Sequence, residues 1–203
     1  MTFDPLPVST SLHRPKIVGI LSVHSGRHAE ALARAQLPHG PRAEPAAAAA
    51  WGDVVFLALP ADAAVDVARS LAKELEGKVV VDCTNPLTWK DGPVWAPPKE
   101  GSGAAAVAAA AAGARVVKGF NTFGAEFHLD PEHAGKPAAQ VFLAGDDADA
   151  KSKVTVVATK GGFRVVDAGP MRNAAVLENL AILWIHLATV GKQGRAFVFA
   201  MQK

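Results

Sequence analysis

The sequence predicts an α/β protein: a doubly wound, mostly parallel Rossmann-like sheet, with its first βαβ unit shortened and a C-terminal helical segment. Two observations carry the prediction. Six short apolar runs, Ile17–Leu21, Val54–Leu59, Val79–Val81, Arg115–Phe120, Gln140–Ala144 and Phe163–Asp167, read as strands buried on both faces. Between them lie helix-length segments at about Arg27–Leu37, Ala61–Leu75, Gly103–Ala112 and Asp147–Lys160, and alternation of strand with helix is the pattern of a parallel α/β sheet.

Taken in chain order, Met1–Pro15 is polar and contains proline, so it is expected to be a disordered tail. Residues 16–170 are expected to form the Rossmann-like domain, and 171–203 a C-terminal helix and tail. The first run, Lys16-Ile-Val-Gly-Ile-Leu21, looks like the opening strand of a dinucleotide-binding unit, but no G-x-G-x-x-G turn follows it. That turn lets the backbone approach a pyrophosphate at a helix N-terminus. A complete strand-helix-strand unit needs about 30 residues, and only a few separate Leu21 from Ser25-Gly26-Arg27. The expectation is one hybrid strand from Ile17 to about Val23 that runs into the helix from Arg27. It takes the central position beside Val54–Leu59 and leaves the sheet one strand short.

Further along, the Ala-rich stretches Ala46–Ala50 and Ala104–Ala112 favour helix by propensity and carry no functional group. Thr88–Ser102, rich in Pro, Gly and Trp, reads as a loop beyond the third run, on the side where open α/β sheets bind ligands. From Met171 to about Val190 the chain has helical length and apolar residues on most of its circumference, so this helix must pack against something, a second subunit included.

Composition narrows the function classes. The 203 residues are 50% hydrophobic with a net charge of +2 and no run of like charges, which argues for one substantial core and against a nucleic-acid groove or a polybasic membrane anchor. Cys83 is the single cysteine, so an internal disulfide and a cysteine-rich zinc site are excluded, and a reducing cytoplasm is the expected location. No signal peptide and no run of about 20 apolar residues is read. The chain has no tyrosine, which excludes any dehydrogenase chemistry that rests on a Tyr-Lys pair.

Five signatures follow in order: Asp82-Cys-Thr-Asn-Pro86, Val117-Lys-Gly-Phe-Asn-Thr122, Ala144-Gly-Asp-Asp147, Asp167-Ala-Gly-Pro170, and Leu177-Glu178 with Leu183-Trp-Ile-His-Leu-Ala188. Together they resemble the NADPH-dependent reductases of the deazaflavin coenzyme F420, from about Ser25 to the C-terminus. The resemblance implies hydride transfer between NADP(H) and coenzyme F420 or a related flavin-like acceptor. Both reactive centres then belong to cofactors, and the protein supplies position and exclusion of water. It also implies pairing of two copies through the C-terminal helices. By position it implies that Ser25 and Arg27 select the 2′-phosphate of NADP, that Leu59-Pro60 passes the ribose and nicotinamide side, and that Asn85, Pro86, Asn121 and Thr122 face the nicotinamide and the deazaflavin. Trp184 and His186 are implied at the deazaflavin pocket or the dimer seam. The missing glycine-rich loop departs from the family pattern. Either another helix N-terminus holds the pyrophosphate, or cofactor binding is poor, or a segment has been lost from the gene. The contrasting reading is a non-catalytic, truncated Rossmann remnant that acts as a dimeric binding or structural protein.

Blander readings stand beside several of these residues. Ser25-Gly26-Arg27 also fits a helix N-cap, Asp82 and Asp167 fit loop caps, and His186 fits a core histidine. Lys118 is expected to turn its amine to the end of the sheet. His24 and His28 have metal-ligand spacing but no third ligand nearby in sequence. His128, Asp130, Glu132 and His133 read as a solvated loop, and Cys83 as a small packed residue.

Overall fold

The computed structural model describes residues 16–21 and 44–202. The helix expected at Arg27–Leu37, the Met1–Pro15 tail, and Ser25, Arg27, His24 and His28 lie outside the described residues.

All six expected runs are strands of one sheet. They are β1 (Ile17–Leu21), β2 (Val54–Ala58), β3 (Val79–Asp82), β6 (Arg115–Lys118), β7 (Gln140–Ala144) and β8 (Arg164–Gly169), adjacent in that order. From β1 to β6 the pairing is parallel. Then β7 joins β6 antiparallel and carries β8 parallel to itself. Rossmann-like and mostly parallel is therefore the right description, with the last two strands reversed. The sequence pattern is blind to that reversal, because apolar runs carry no direction; the long connection from 119 to 139 permits it. β1 does lie beside β2, but among the described residues it is the outermost strand, not a central one.

The first described helix, α1 (Pro45–Trp51), has proline in its first turn, where an amide hydrogen has no intrahelical partner to lose. α2 (Ala61–Ser70) starts after Pro60 and stops five residues short of the expected Leu75. α3 (Gly103–Ala110) is capped by Ser102, whose hydroxyl accepts from the Ala105 amide at 3.1 Å. α4 (Glu126–Leu129) is a single turn. α5 (Ala148–Lys160) is capped by Asp147, which accepts from the Ala150 amide at 2.9 Å. A 3₁₀ turn (Met171–Asn173) leads into α6 (Ala174–Thr189). The Thr88–Ser102 segment is more ordered than a loop. β4 (Leu87–Trp89) and β5 (Pro93–Trp95) form an antiparallel hairpin, turned by Asp91 in the left-handed region and Gly92.

Alternation along each buried strand splits the core in two. Val55, Leu57, Val80 and Val116 face Ala49, Ala64, Ala68, Ala104 and Val107 of the helices on one side. Val54, Val79, Val81, Val117, Val141 and Leu143 face Ala150, Val154 and Ala158 of α5 on the other, joined by Phe120, Phe123, Phe127 and Phe163. The alanines of α3 let that helix lie close to α2 and to the sheet. At Gly119 the approach of β6 to β7 is closer still: a Cβ there would stand 2.6 Å from Leu143 Cδ2.

Candidate functional site

The C-terminal ends of β1, β2, β3 and β6 share one edge of the sheet, since Leu21 is in register with Ala58, Leu57 with Asp82, and Asp82 with Lys118. Open α/β sheets bind ligands at this edge. Leu59 is half-buried and Pro60 exposed where β2 ends, and Asn85 is half-buried beyond β3. Pro86, Asn121 and Thr122 are buried.

Asn85 and Asn121 bind one another. The Asn85 amide donates to the Asn121 carbonyl at 3.0 Å, and Asn121 Nδ2 donates to Asn85 Oδ1 at 2.9 Å and to the Leu177 carbonyl of α6 at 3.1 Å. Both Asn121 Nδ2 hydrogens and one of Asn85 Nδ2 are thus engaged within the protein. Asn121 Oδ1 is buried and has no hydrogen-bond partner, and nearby on the same edge Thr84 Oγ1 is in the same condition. Buried polar atoms are ordinarily paired, so such acceptors mark a place where a donor fits.

Beneath this pair lies a charged cluster that sequence reasoning missed. Lys118 is wholly buried, and its ammonium meets Asp82 Oδ2 at 2.9 Å and Glu178 Oε1 at 3.1 Å. It also donates to the Thr84 carbonyl. Asp82 and Lys118 are register partners at the last positions of β3 and β6, and α6 brings Glu178 to the same ammonium at the end of the sheet. Burial alone pulls the Lys118 pKa down, but the two carboxylates reverse this and hold it above the ordinary lysine value. Glu178 is itself fully engaged: Oε1 also accepts from the Gly103 amide at 2.9 Å, and Oε2 from Trp95 Nε1 at 3.2 Å. Asp82 caps its loop as expected, through the Thr84 amide at 3.0 Å, and pairs with Lys118 besides. Gly103 is suited to its place, for a Cβ there would stand 3.2 Å from both Glu178 Oε1 and Thr84 Oγ1. The available signal was a lone carboxylate in an apolar helix and a lone lysine in an apolar strand.

The other candidates resolve differently. Half-buried Cys83 packs beside the second core cluster, and burial together with the Asp82 charge pushes its thiol pKa far up, so it is no thiolate at neutral pH. Trp184 is buried under the C-terminal segment, donating to the Phe197 carbonyl at 2.8 Å and stacking on its ring. His186 is exposed on α6, so the core-histidine reading fails. Asp167 accepts from the Gly169 amide and pairs with Lys151. Among the described residues no three His, Cys, Asp or Glu are grouped to hold a metal. Nor is any described helix long and apolar enough to cross a membrane.

Fold and site define a Rossmann-like α/β protein with its polar residues gathered at the strand ends. Residues 14–86 match the family model described as NADP oxidoreductase, coenzyme F420-dependent. The chain is similar to the F420-dependent NADP reductase of Methanocaldococcus jannaschii, 31% identical over 146 residues that cover 69% of this chain and 64% of that protein. It is likewise 31% identical over 154 residues to the reductase of the same name from Methanothermobacter marburgensis, covering 70% of this chain and 65% of that one. The chain therefore spans just under two thirds of the length of these relatives. Among solved structures, a proposed F420-dependent NADP reductase from Arthrobacter sp. FB24 superposes with a TM-score of 0.76 at 26% identity, covering 94% of this chain and all of that one. A hypothetical protein from Sinorhizobium meliloti, 24% identical, shares the fold with a TM-score of 0.63 over 93% of this chain and 97% of its own. Over these stretches the chain resembles the coenzyme F420-dependent NADP oxidoreductases.

Proposed function

We propose that this protein is an oxidoreductase that passes a hydride between NADP(H) and the deazaflavin coenzyme F420, in the crevice at the C-terminal ends of β2, β3 and β6. The observation that carries the reading is the family resemblance joined to an unpartnered, buried Asn121 Oδ1 at that edge. An acceptor of this kind fits an N–H donor, such as the carboxamide of a nicotinamide. Leu59 and Pro60 form the apolar side of the crevice where β2 ends, and Asn85 and Pro86 the side beyond β3. Thr122 backs Asn121. Ser25 and Arg27 are proposed to hold the 2′-phosphate of NADP by charge-assisted hydrogen bonds. When bound, the two cofactors supply the hydride chemistry themselves; the residues of the chain orient them and keep water out.

The proposed partner is a second copy of the chain, joined through α6. Its buried stripe is Ala174, Leu177, Glu178, Ala181 and Trp184. On the opposite face, Val176, Leu183 and Val190 are exposed and seven residues apart, with Leu180 and Leu187 half-buried between them. That is the 4-3 spacing of a helix-pairing seam. Leu183→Glu is expected to yield monomers by light scattering; an unchanged mass would place any dimer contact elsewhere.

The function is tested by titrating the folded protein with NADPH, and NADH as a control, followed by turnover with the deazaflavin. Saturable NADPH binding well below about 1 mM, weaker NADH binding and deazaflavin reduction are expected. A folded protein that binds no NADPH would favour the non-catalytic remnant. Binding with turnover only on free flavins would change the acceptor and keep the enzyme class.

A further inference from the structure

We infer that Lys118 and Glu178 are positioning residues for the Asn85–Asn121 amide pair, setting Asn121 Oδ1 as the acceptor that faces ligand. The inference rests on the functional reading above for what the acceptor is used for, and on geometry for how it is set. Lys118 Nζ binds the Thr84 carbonyl, so it holds the peptide that leads directly into Asn85. Glu178 follows Leu177, whose carbonyl takes the Asn121 amide, and Glu178 is pinned by Lys118, Gly103 and Trp95 from three different elements. Asn121 lies three residues beyond Lys118 on the same strand exit.

The consequence is an orientation. Asn121 Nδ2 gives both hydrogens, one to Asn85 Oδ1 and one to Leu177, so the amide oxygen is turned away from the pair. Reversing the amide would set that oxygen against two acceptors. The orientation therefore lasts only while the Leu177 carbonyl and the Thr84–Asn85 peptide keep their places, and the ion cluster holds both. Phe120, between Lys118 and Asn121, has a φ of 59°. A bulky aromatic adopts this left-handed conformation only when its surroundings impose it. Phe120 is clamped by Phe56 and Phe163, at centroid distances of 5.3 and 5.6 Å. The strand exit is thus fixed on one face by rings and on the other by charge.

The test compares Glu178→Gln with Val154→Ala, which destabilises the core on the other face of the sheet and leaves the cluster intact. Two readouts are taken: the side-chain amide resonances of Asn85 and Asn121 in ¹⁵N-labelled protein, and the kcat and KM of NADPH oxidation by the deazaflavin. In Glu178→Gln the Asn121 amide signals are expected to move and lose protection from exchange. There kcat is expected to fall at least tenfold, with the KM for NADPH within about twofold. Val154→Ala is expected to lower the melting temperature and leave the signals and kcat in place. Equal effects of the two variants would overturn the inference, as would unmoved amide signals in folded Glu178→Gln. If the wild-type protein turns nothing over, the functional reading fails, and the resonances decide the positioning by themselves: displaced signals support it and unmoved ones refute it.

Discussion

Replacing Lys118 with methionine keeps a side chain of similar reach and removes only the ammonium. Asp82 and Glu178 are then left facing one another without a cation, and the Thr84 carbonyl loses its donor. Removing one partner of a buried ion pair costs about 3–5 kcal/mol, because the remaining charge stays desolvated. Methionine refills most of the volume, so a cavity contributes little. For a chain of this size each kcal/mol shifts the melting temperature by about 2–4 °C, which predicts a fall of roughly 6–20 °C. Urea unfolding followed by circular dichroism measures the same loss as a lower midpoint at unchanged slope. The pH dependence adds a second check. The folded-state pKa of Lys118 is raised, so its contribution is complete below the unfolded value of about 10.4 and is lost as pH rises through the folded one. The gap between wild type and variant is expected to hold from pH 6 to 9 and to narrow only in strong alkali. A loss below about 1 kcal/mol across that range would show that the cluster is not a buried ionic one, and the reasoning would fail.

Gly119→Ala forces a methyl to within 2.6 Å of Leu143 Cδ2 in a packed interior, and a loss of about 1–3 kcal/mol by denaturant unfolding is expected. Ser102→Ala removes the cap of α3 and is expected to cost about 1 kcal/mol in the same measurement. Arg115 holds Asp147 well below the usual carboxylate range, the Ala150 amide assisting, so this pairing stabilises fully above the unfolded pKa of about 4 and fades as pH falls toward the folded value. Asp147→Asn should accordingly flatten part of the acid limb of the stability curve, while a parallel curve would argue against the contact. Gln140 and Met201 exchange two hydrogen bonds at 2.9 and 2.7 Å, so Gln140→Ala is expected to speed proteolysis of the C-terminal segment at little cost to the melting temperature.

The inner strands β2, β3, β6 and β7 were legible because each is a short apolar run largely buried on both faces, a property that neighbours in sequence are sufficient to show. The β4–β5 hairpin was missed although Asp91-Gly92 is a strong turn signal; proline and tryptophan on either side read as loop. The reversal of β7 and the pairing of Lys118 with Glu178 were not legible for a common reason: both depend on which segments meet across the sheet. At the site, Asn85 and Asn121 were found from their places at strand ends, but their mutual bonding was not. Two amides 36 residues apart give no sign in sequence of whether they meet a ligand or each other.

The ionic cluster also bears on how the protein is made. Asp82 and Lys118 are 36 residues apart, but the bond from the Gly103 amide to Glu178 spans 75. A chain emerging from the ribosome, at about 5–20 residues per second, presents Lys118 several seconds before Glu178, the second carboxylate of its cluster. Until α6 arrives, the middle of the sheet has a lysine with one counter-charge and an open flank, so the last helix acts as the closing step of assembly. A stalled or shortened product lacking Glu178 would expose that flank, and cellular quality control would have a ready means of telling it from the finished molecule.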